Sequence, residues 1–219
     1  MDKVLEVKFE GWTATPRMPF ILSGNAICLP VPTYSLILGI IGCCLGRIVE
    51  TNEVNFGFHY EFESTATDLE TRQRLEYDGK KVKKHSKGSD AYPREFHVNP
   101  LLTIWLDRID WKENFIDPIG TPSLGRSQDI LRITSVQQIV VNKIEEATVS
   151  GCMLPFNPSM KIAGQLVQLA EAYNENGEIG SGRISKTRLF IAVSKDTMAK
   201  IKMGNLYASD NRNFYIHTF

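Results

Sequence analysis

Pro30-Val31-Pro32-Thr33-Tyr34-Ser35-Leu36-Ile37-Leu38-Gly39-Ile40-Ile41-Gly42-Cys43-Cys44-Leu45-Gly46 is the stretch on which the fold turns. Its longest apolar part, Tyr34 to Leu45, has the length of a buried core helix and falls short of the about 18–20 apolar residues a membrane span needs. Pro30-Val31-Pro32 forms a stiff lead-in. Thr33 or Ser35 can cap the helix, whose first N–H groups lack partners within it. Gly39, Gly42 and Gly46 lie on the same helix. A glycine in a helix interior costs up to about 1 kcal/mol against alanine, and the expected compensation is close approach of the backbone to a sheet. The stretch belongs to a longer run without charge, Met18 to Gly46, 29 positions in all, broken early by Pro19, Gly24 and Asn25.

On the N-terminal side, Lys3 to Trp12 reads as a strand from its length and β-branched content, although its alternation gives no clean apolar face. On the C-terminal side, Glu53 to Phe62 is extended. A polar hairpin-like region follows, Glu63 to Arg94, centred on the turn dipeptide Asp78-Gly79. Phe96 to Leu106 reads as a core strand and Ile116 to Ser127 as a Pro/Gly loop. Ile130 to Ser135 and Gln138 to Val141 read as two strands. Lys161 to Tyr173 carries apolar residues at 162, 166, 169, 170 and 173, a helical spacing. Gly177 to Gly182 reads as a loop, and Leu189 to Val193 and Phe214 to Phe219 as closing strands. This order predicts an α+β fold with an antiparallel sheet.

The 219 residues fit one large domain, or one domain with an insertion. Hydrophobic residues at 42% and charged residues at 23% are ordinary globular usage and exclude wholesale disorder. Lys+Arg and Asp+Glu both number 25, which excludes a uniformly basic nucleic-acid coat but leaves room for a local patch. Cys28, Cys43, Cys44 and Cys152 form no CxxC pair, and Met1 to Leu5 is no export signal. Reduced thiols and a cytoplasmic location are the expectation.

Charge is concentrated in one place. Lys80, Lys81, Lys83, Lys84, Lys87 and Arg94 face only Asp90 between Gly79 and Arg94. Such a run is either a solvated hairpin tip or a phosphate-binding arm, because clustered cations release counterions from a nucleic-acid backbone. Tyr77 and Tyr92 flank it and could stack on bases. Gly120-Thr121-Pro122-Ser123-Leu124-Gly125-Arg126-Ser127 imitates a nucleotide-binding loop. That loop needs Lys where Arg126 stands and a buried strand before it, and Trp111-Lys112-Glu113-Asn114 is not one. Gly125, Arg126 and Ser127 can still offer backbone N–H groups and a guanidinium to a phosphate. His59, His85, His97 and His217 show no metal-ligand spacing and Cys152 stands alone, so neither metal nor cofactor is expected.

Pro30 to Gly42 resembles the Pro-rich lead-in and Gly-containing first helix of the CRISPR-associated Cas family five, in the repeat-associated RNA-binding superfamily. Pro122-Ser123-Leu124-Gly125-Arg126-Ser127-Gln128 is similar to that family's Leu-Gly-Arg-Ser-Glu loop, with Gln128 in place of the acid. The basic hairpin resembles the family's thumb. The resemblance covers roughly the first 135 residues. It implies a ferredoxin-like, RNA-recognition-type domain over 1–135, with the thumb inserted at about 63–95 and a smaller β-rich part over 136–219. It also implies a non-catalytic subunit of a type I surveillance complex (Cascade). That subunit caps the 5′ handle of the CRISPR RNA, beside the Cas family seven backbone subunit and the large subunit, near target DNA. RNA contacts would come from Lys80, Lys81, Lys83, Lys84, Lys87, Leu124, Gly125, Arg126 and Ser127, and, from their position flanking the charge-free run, from Arg17 and Arg47. The alternative is a metal-independent endoribonuclease that processes precursor RNA with Tyr92, Lys84 and His97.

Overall fold

A computed structural model describes residues 2–19, 25–174 and 184–219; the loop read at Gly177 to Gly182 lies outside them. The chain runs β1 (Asp2–Gly11), β2 (Thr13–Ala14), α1 (Tyr34–Leu45), β3 (Phe56–Glu61), β4 (Ser64–Tyr77), β5 (Val82–Val98) and β6 (Leu101–Leu106). A 3-10 turn (Ile109–Trp111) and α2 (Lys112–Ile116) lead to β7 (Leu131–Val149), β8 (Cys152–Pro155), β9 (Gln165–Asn174), β10 (Ile184–Val193), β11 (Ala199–Ala208) and β12 (Asn213–Tyr215). One sheet has the order β12-β11-β7-β1-β6-β3, a second β8-β10-β9, and a third β2-β5-β4. No described helix is long and apolar enough to cross a membrane.

The α+β ferredoxin-like expectation is overturned. The molecule is mostly β, built on a curled six-stranded half-barrel. Of the two α-helices among the described residues, α1 has twelve residues and α2 five. Part of the error lies at Lys161 to Tyr173, read as a helix and found as β9. Val167, Leu169 and Glu171 are buried there while Leu166 points to solvent, which is the period of a strand. The buried position 171 is a carboxylate, so the alternation did not show as apolar. Glu171 is held by His217 Nε2 at 2.7 Å and by Arg188 at 2.5 Å.

The helix at 34–45 forms as expected. Thr33 Oγ1 accepts the Leu36 N–H at 3.1 Å, and Gly46 ends the helix at φ +68°, a conformation glycine adopts without strain. The glycines do not let α1 approach a sheet, contrary to expectation. A Cβ on Gly42 would meet the Arg47 carbonyl at 2.7 Å, and one on Gly39 would meet nothing within 4 Å. The close approach is to the chain that turns back under the helix end.

Tyr34, Ile37, Ile41 and Cys44 bury against Leu5, Val7 and Phe9 of β1, Phe56, Phe58 and Tyr60 of β3, and Ile104 of β6. Each such side chain contributes about 1.5–3 kcal/mol. The opposite face of β1 is covered too, because Val4 packs with Trp105, Val141, Phe214 and Ile216. Glu6, on that same face, accepts the Trp105 Nε1–H at 3.0 Å. A strand buried on both faces explains why Lys3 to Trp12 showed no clean apolar side. The two strands expected between Ile130 and Val141 are one strand, β7. It pairs with β1 over Leu131–Val141 and with β11 over Asn142–Val149, so it runs unbroken through position 135.

Candidate nucleic-acid interface

β4 and β5 form the expected hairpin, paired from Ser64 opposite Val98 to Tyr77 opposite Val82 with a register shift between Gln73 and Leu75. With 14 and 17 residues, its strands reach about 45 Å at ~3.3 Å per residue. Its neighbours end at the root: β2 pairs only with His97 and Val98, and Ala26 bridges Arg94. Beyond Arg94 the hairpin is an arm with no third strand among the described residues.

At its tip, Asp78 Oδ1 accepts the N–H groups of Lys80 and Lys81, both at 3.0 Å, and Gly79 sits at φ +92°. Those two backbone bonds, from Lys81 and Lys80, hold the Asp78 carboxyl below its usual range. Lys83 lies between Glu76 at 3.4 Å and Asp78 at 4.0 Å. Lys80, Lys81, Lys84 and Lys87 have no carboxylate partner among the described residues.

The charge segregation read from the sequence is partly undone by folding. The full arm, 64–98, carries eight Lys and Arg against six Asp and Glu. β4 adds its own carboxylates to Asp90 and Glu95 of β5. Glu70 pairs with Arg94 and accepts the Tyr92 hydroxyl at 2.9 Å, and Asp90 accepts Arg74 Nε at 2.7 Å. Arg72 and Arg94 also lie 5.8 and 5.3 Å from the centre of the Tyr92 ring, so that ring is engaged within the arm. Free positive charge remains only at the tip.

At the root, the 122–131 loop folds back on the strand 13–15. Asp129 is fully buried and is its centre. It accepts Thr13 Oγ1 at 2.7 Å, Thr15 Oγ1 at 2.5 Å, the Arg126 N–H at 2.9 Å, and Arg126 Nε and Nη2 at 3.2 and 3.0 Å. Burial pushes the Asp129 carboxyl up, but the hydrogen bonds from Arg126, Thr15 and Thr13 outweigh it and hold it below its usual range. Gly125 has φ +120°, and a Cβ there would lie 2.4 Å from the Thr15 carbonyl, so only glycine fits. Leu124 is fully buried and serves the core. The N–H groups of Gly125 and Ser127 make no hydrogen bond among the described residues.

The sequence-predicted residues thus fall in three places. Arg126, Gly125 and Ser127 share the arm root with Arg17, which is exposed and bridges Cys28 beside the Ala26–Arg94 contact. The lysines occupy the tip. Arg47 stands apart, where β3 and β6 pair Phe56 with Leu106, whereas the arm leaves from the Glu61 and Leu101 end. Its guanidinium is bidentate to Glu53 at 2.9 and 2.7 Å and lies 5.6 Å from the Trp111 ring. Tyr92, Lys84 and His97 do not meet. The β4 partners of His97 and Lys84 are Thr65 and Leu75, ten positions or roughly 33 Å apart. Thr13, Thr15 and Asp129 were missed. The signal was an acid one place beyond Gln128. Trp12, 87% exposed at the root, was missed as a surface group because it read as the end of a strand.

No family model and no curated relative matches the chain. Solved structures do. A chain of a "CRISPR RNA-guided surveillance complex" aligns with TM-score 0.58 and 11% identity, covering 91% of each chain. The "Crystal structure of a CRISPR protein from Archaeoglobus fulgidus" aligns at 0.52 and 10%, covering 99% of each. A chain of the "Cryo-EM structure of the Type III-B Cmr-beta bound to cognate target RNA" aligns at 0.54 and 11%, again over 99% of each. The chain shares the fold of these CRISPR-associated proteins.

Proposed function

We propose that this chain is an RNA-binding subunit of a CRISPR ribonucleoprotein complex, and that it caps the 5′ handle of the guide RNA without cutting it. The observation that carries the reading is the arm. Among the described residues it is a long hairpin without a third strand, with four uncompensated lysines at its tip and open N–H groups at its root. Single-stranded RNA is held in this way, through backbone phosphates and splayed bases. The Gly125 and Ser127 amides and Arg17 take handle phosphates. Arg126 shapes the loop through its bonds to Asp129. Trp12 offers an exposed ring for one base. The shared fold with chains of CRISPR complexes supports the setting. The fold is common to a surveillance complex and a Type III-B complex, so assignment to type I rests on the Pro30–Gly42 and Leu124–Gln128 resemblances.

Neighbouring subunits, by the same resemblance, are the Cas family seven backbone and the large subunit. The separation of Tyr92, Lys84 and His97 supports a non-catalytic role. The test mixes the full chain with end-labelled repeat RNA in chelator and runs native and denaturing gels together. The expected result is intact RNA and a salt-sensitive shift that needs the handle. Equal affinity for RNA lacking the handle overturns handle capping, and a discrete cut overturns the non-catalytic role.

A further inference from the structure

Cys28 and Glu95 are 67 residues apart in sequence, yet the Cys28 N–H donates to Glu95 Oε1 at 3.2 Å and its Sγ lies 3.2 Å from the Glu95 carbonyl oxygen. The Ala26–Arg94 bridge and the Glu95 N–H to Ala26 carbonyl bond, 2.8 Å, set this contact. His97 stands two positions further along β5, so its side chain leaves the same face. A thiol sulfur, a carboxylate oxygen and an imidazole nitrogen of these residues lie within 4.8 Å of one another. His97 is only 2% exposed, its ring stacks on Phe62 with centroids 3.7 Å apart, and its Nδ1 is bonded to the Tyr60 hydroxyl at 2.7 Å. Nε2 is left without a protein partner among the described residues. The Tyr60 hydroxyl fixes the orientation of the imidazole through Nδ1, as hydrogen bonds to one ring nitrogen orient metal-ligating histidines.

We propose that Cys28, Glu95 and His97 form a divalent-metal site of zinc-type chemistry that staples the 26–28 segment to the root of the arm. Thiolate with imidazole selects zinc over magnesium or calcium, and three protein ligands leave one position for water. Binding breaks the Cys28 S–H bond, forms the metal–sulfur bond and releases one proton to solvent per ion. The two guanidiniums beside the site are already paired, Arg94 with Glu70 and Arg126 with Asp129.

The site stands independently of the RNA reading and is tested without RNA. The full chain is titrated with cobalt(II), whose thiolate charge-transfer band reports sulfur ligation, and the ion is then displaced by zinc. One ion per chain, a charge-transfer band and one proton released into weak buffer are expected. Cys28→Ser abolishes the band. Glu95→Gln and His97→Gln each weaken binding at least about tenfold. Cys43→Ser, at the other half-buried thiol, changes nothing. Absence of the band, a band that survives Cys28→Ser, or one lost in Cys43→Ser overturns the proposal. If Cys28→Ser fails to fold, unchanged affinity in Glu95→Gln and His97→Gln overturns it instead.

Discussion

β1, β3 and β6 bury Leu5, Val7, Phe9, Phe56, Phe58, Tyr60, Leu102 and Ile104 under α1. β4 and β5, the longest hairpin in the described chain, contribute no residue to the buried apolar clusters. Leu69, Leu75, Tyr77 and Val82 are exposed along the arm, and its order comes from the Asp78 turn and the Glu70–Arg94 and Asp90–Arg74 pairs. Body and arm therefore draw on different forces. Apolar burial gives the body a large and cooperative stabilisation. Partly exposed ion pairs of this kind give the arm only about 1 kcal/mol each, so the arm can be reshaped around a ligand at low cost. The difference teaches that stability and binding are separable in this chain, and substitutions in the two regions test that separation.

The largest contrast is expected between two tyrosines. Tyr34 is buried, stacked on His217 with centroids 4.0 Å apart, and its hydroxyl donates to the Met153 carbonyl. Tyr34→Ala should lower unfolding free energy by about 3–5 kcal/mol in urea titrations. Tyr77→Ala, at the arm tip, should change it by less than about 0.5 kcal/mol. Comparable losses at both positions would show that the arm belongs to the cooperative core. Asp129 stands where body and arm meet. Asp129→Ala strands the Arg126 guanidinium and two threonine hydroxyls, and should cost about 3 kcal/mol. Adding Arg126→Ala should recover part of the loss, because the unpaired charge goes with it; strict additivity of the two would refute the coupling.

Acid should act first on two buried histidines, His217 in the body and His97 at the root of the arm. Burial pushes His97 and His217 from 6.5 down to about 4. For His217 the Glu171 carboxylate pulls the other way, but its Nδ1 is buried without a partner among the described residues, and protonation would put an unpaired donor there. The unfolded chain binds protons at these rings below about pH 6.5, whereas the folded chain does not until about pH 4. Their contribution is thus fully present above that window and is lost as pH falls through it, at roughly 1–3 kcal/mol each. Urea midpoints at a series of pH values check this. His217→Gln should flatten the slope, and an unchanged slope would remove His217 from the account.

The two regions were also unequally legible in sequence. α1 was plain because an apolar run with Thr33 before it and Gly46 after it states both ends of a helix. The arm was plain because Asp78-Gly79 between two polar runs states a hairpin. The fold class was not, because β9 hides a strand period behind the buried Glu171 and because β1 is buried on both faces. Those facts depend on what packs against each strand, and position in the chain does not encode them. The site was half legible. Local signals, the lysine run and the Gly125 turn, could be read directly. Asp129 with Thr13 and Thr15, and Cys28 with Glu95 and His97, are long-range meetings that no spacing announces. Arg47 was grouped with Arg17 only because both flank a charge-free run, and folding sends them to different ends of the sheet.

The finest test of the division compares cations that differ in partner rather than in charge. Alanine at Lys80, Lys81, Lys84 and Lys87 together should leave the urea midpoint unchanged. It should flatten the log–log salt dependence of handle binding by about 3, since each phosphate neutralised on a single strand contributes ~0.7. Arg47 has the same charge but lines a groove of about 450 Å³ beside α1 with Ser35, Gly39 and Gly42, at the end of β3 away from the arm, and its guanidinium is spent on Glu53. Arg47→Ala should therefore change handle affinity less than about twofold, with a stability change of at most ~1 kcal/mol, the worth of an exposed ion pair. A salt slope that falls with Arg47→Ala would mean that RNA runs along α1 as well. The binding surface would then cross the body, and the separation of stability from binding would fail at that point.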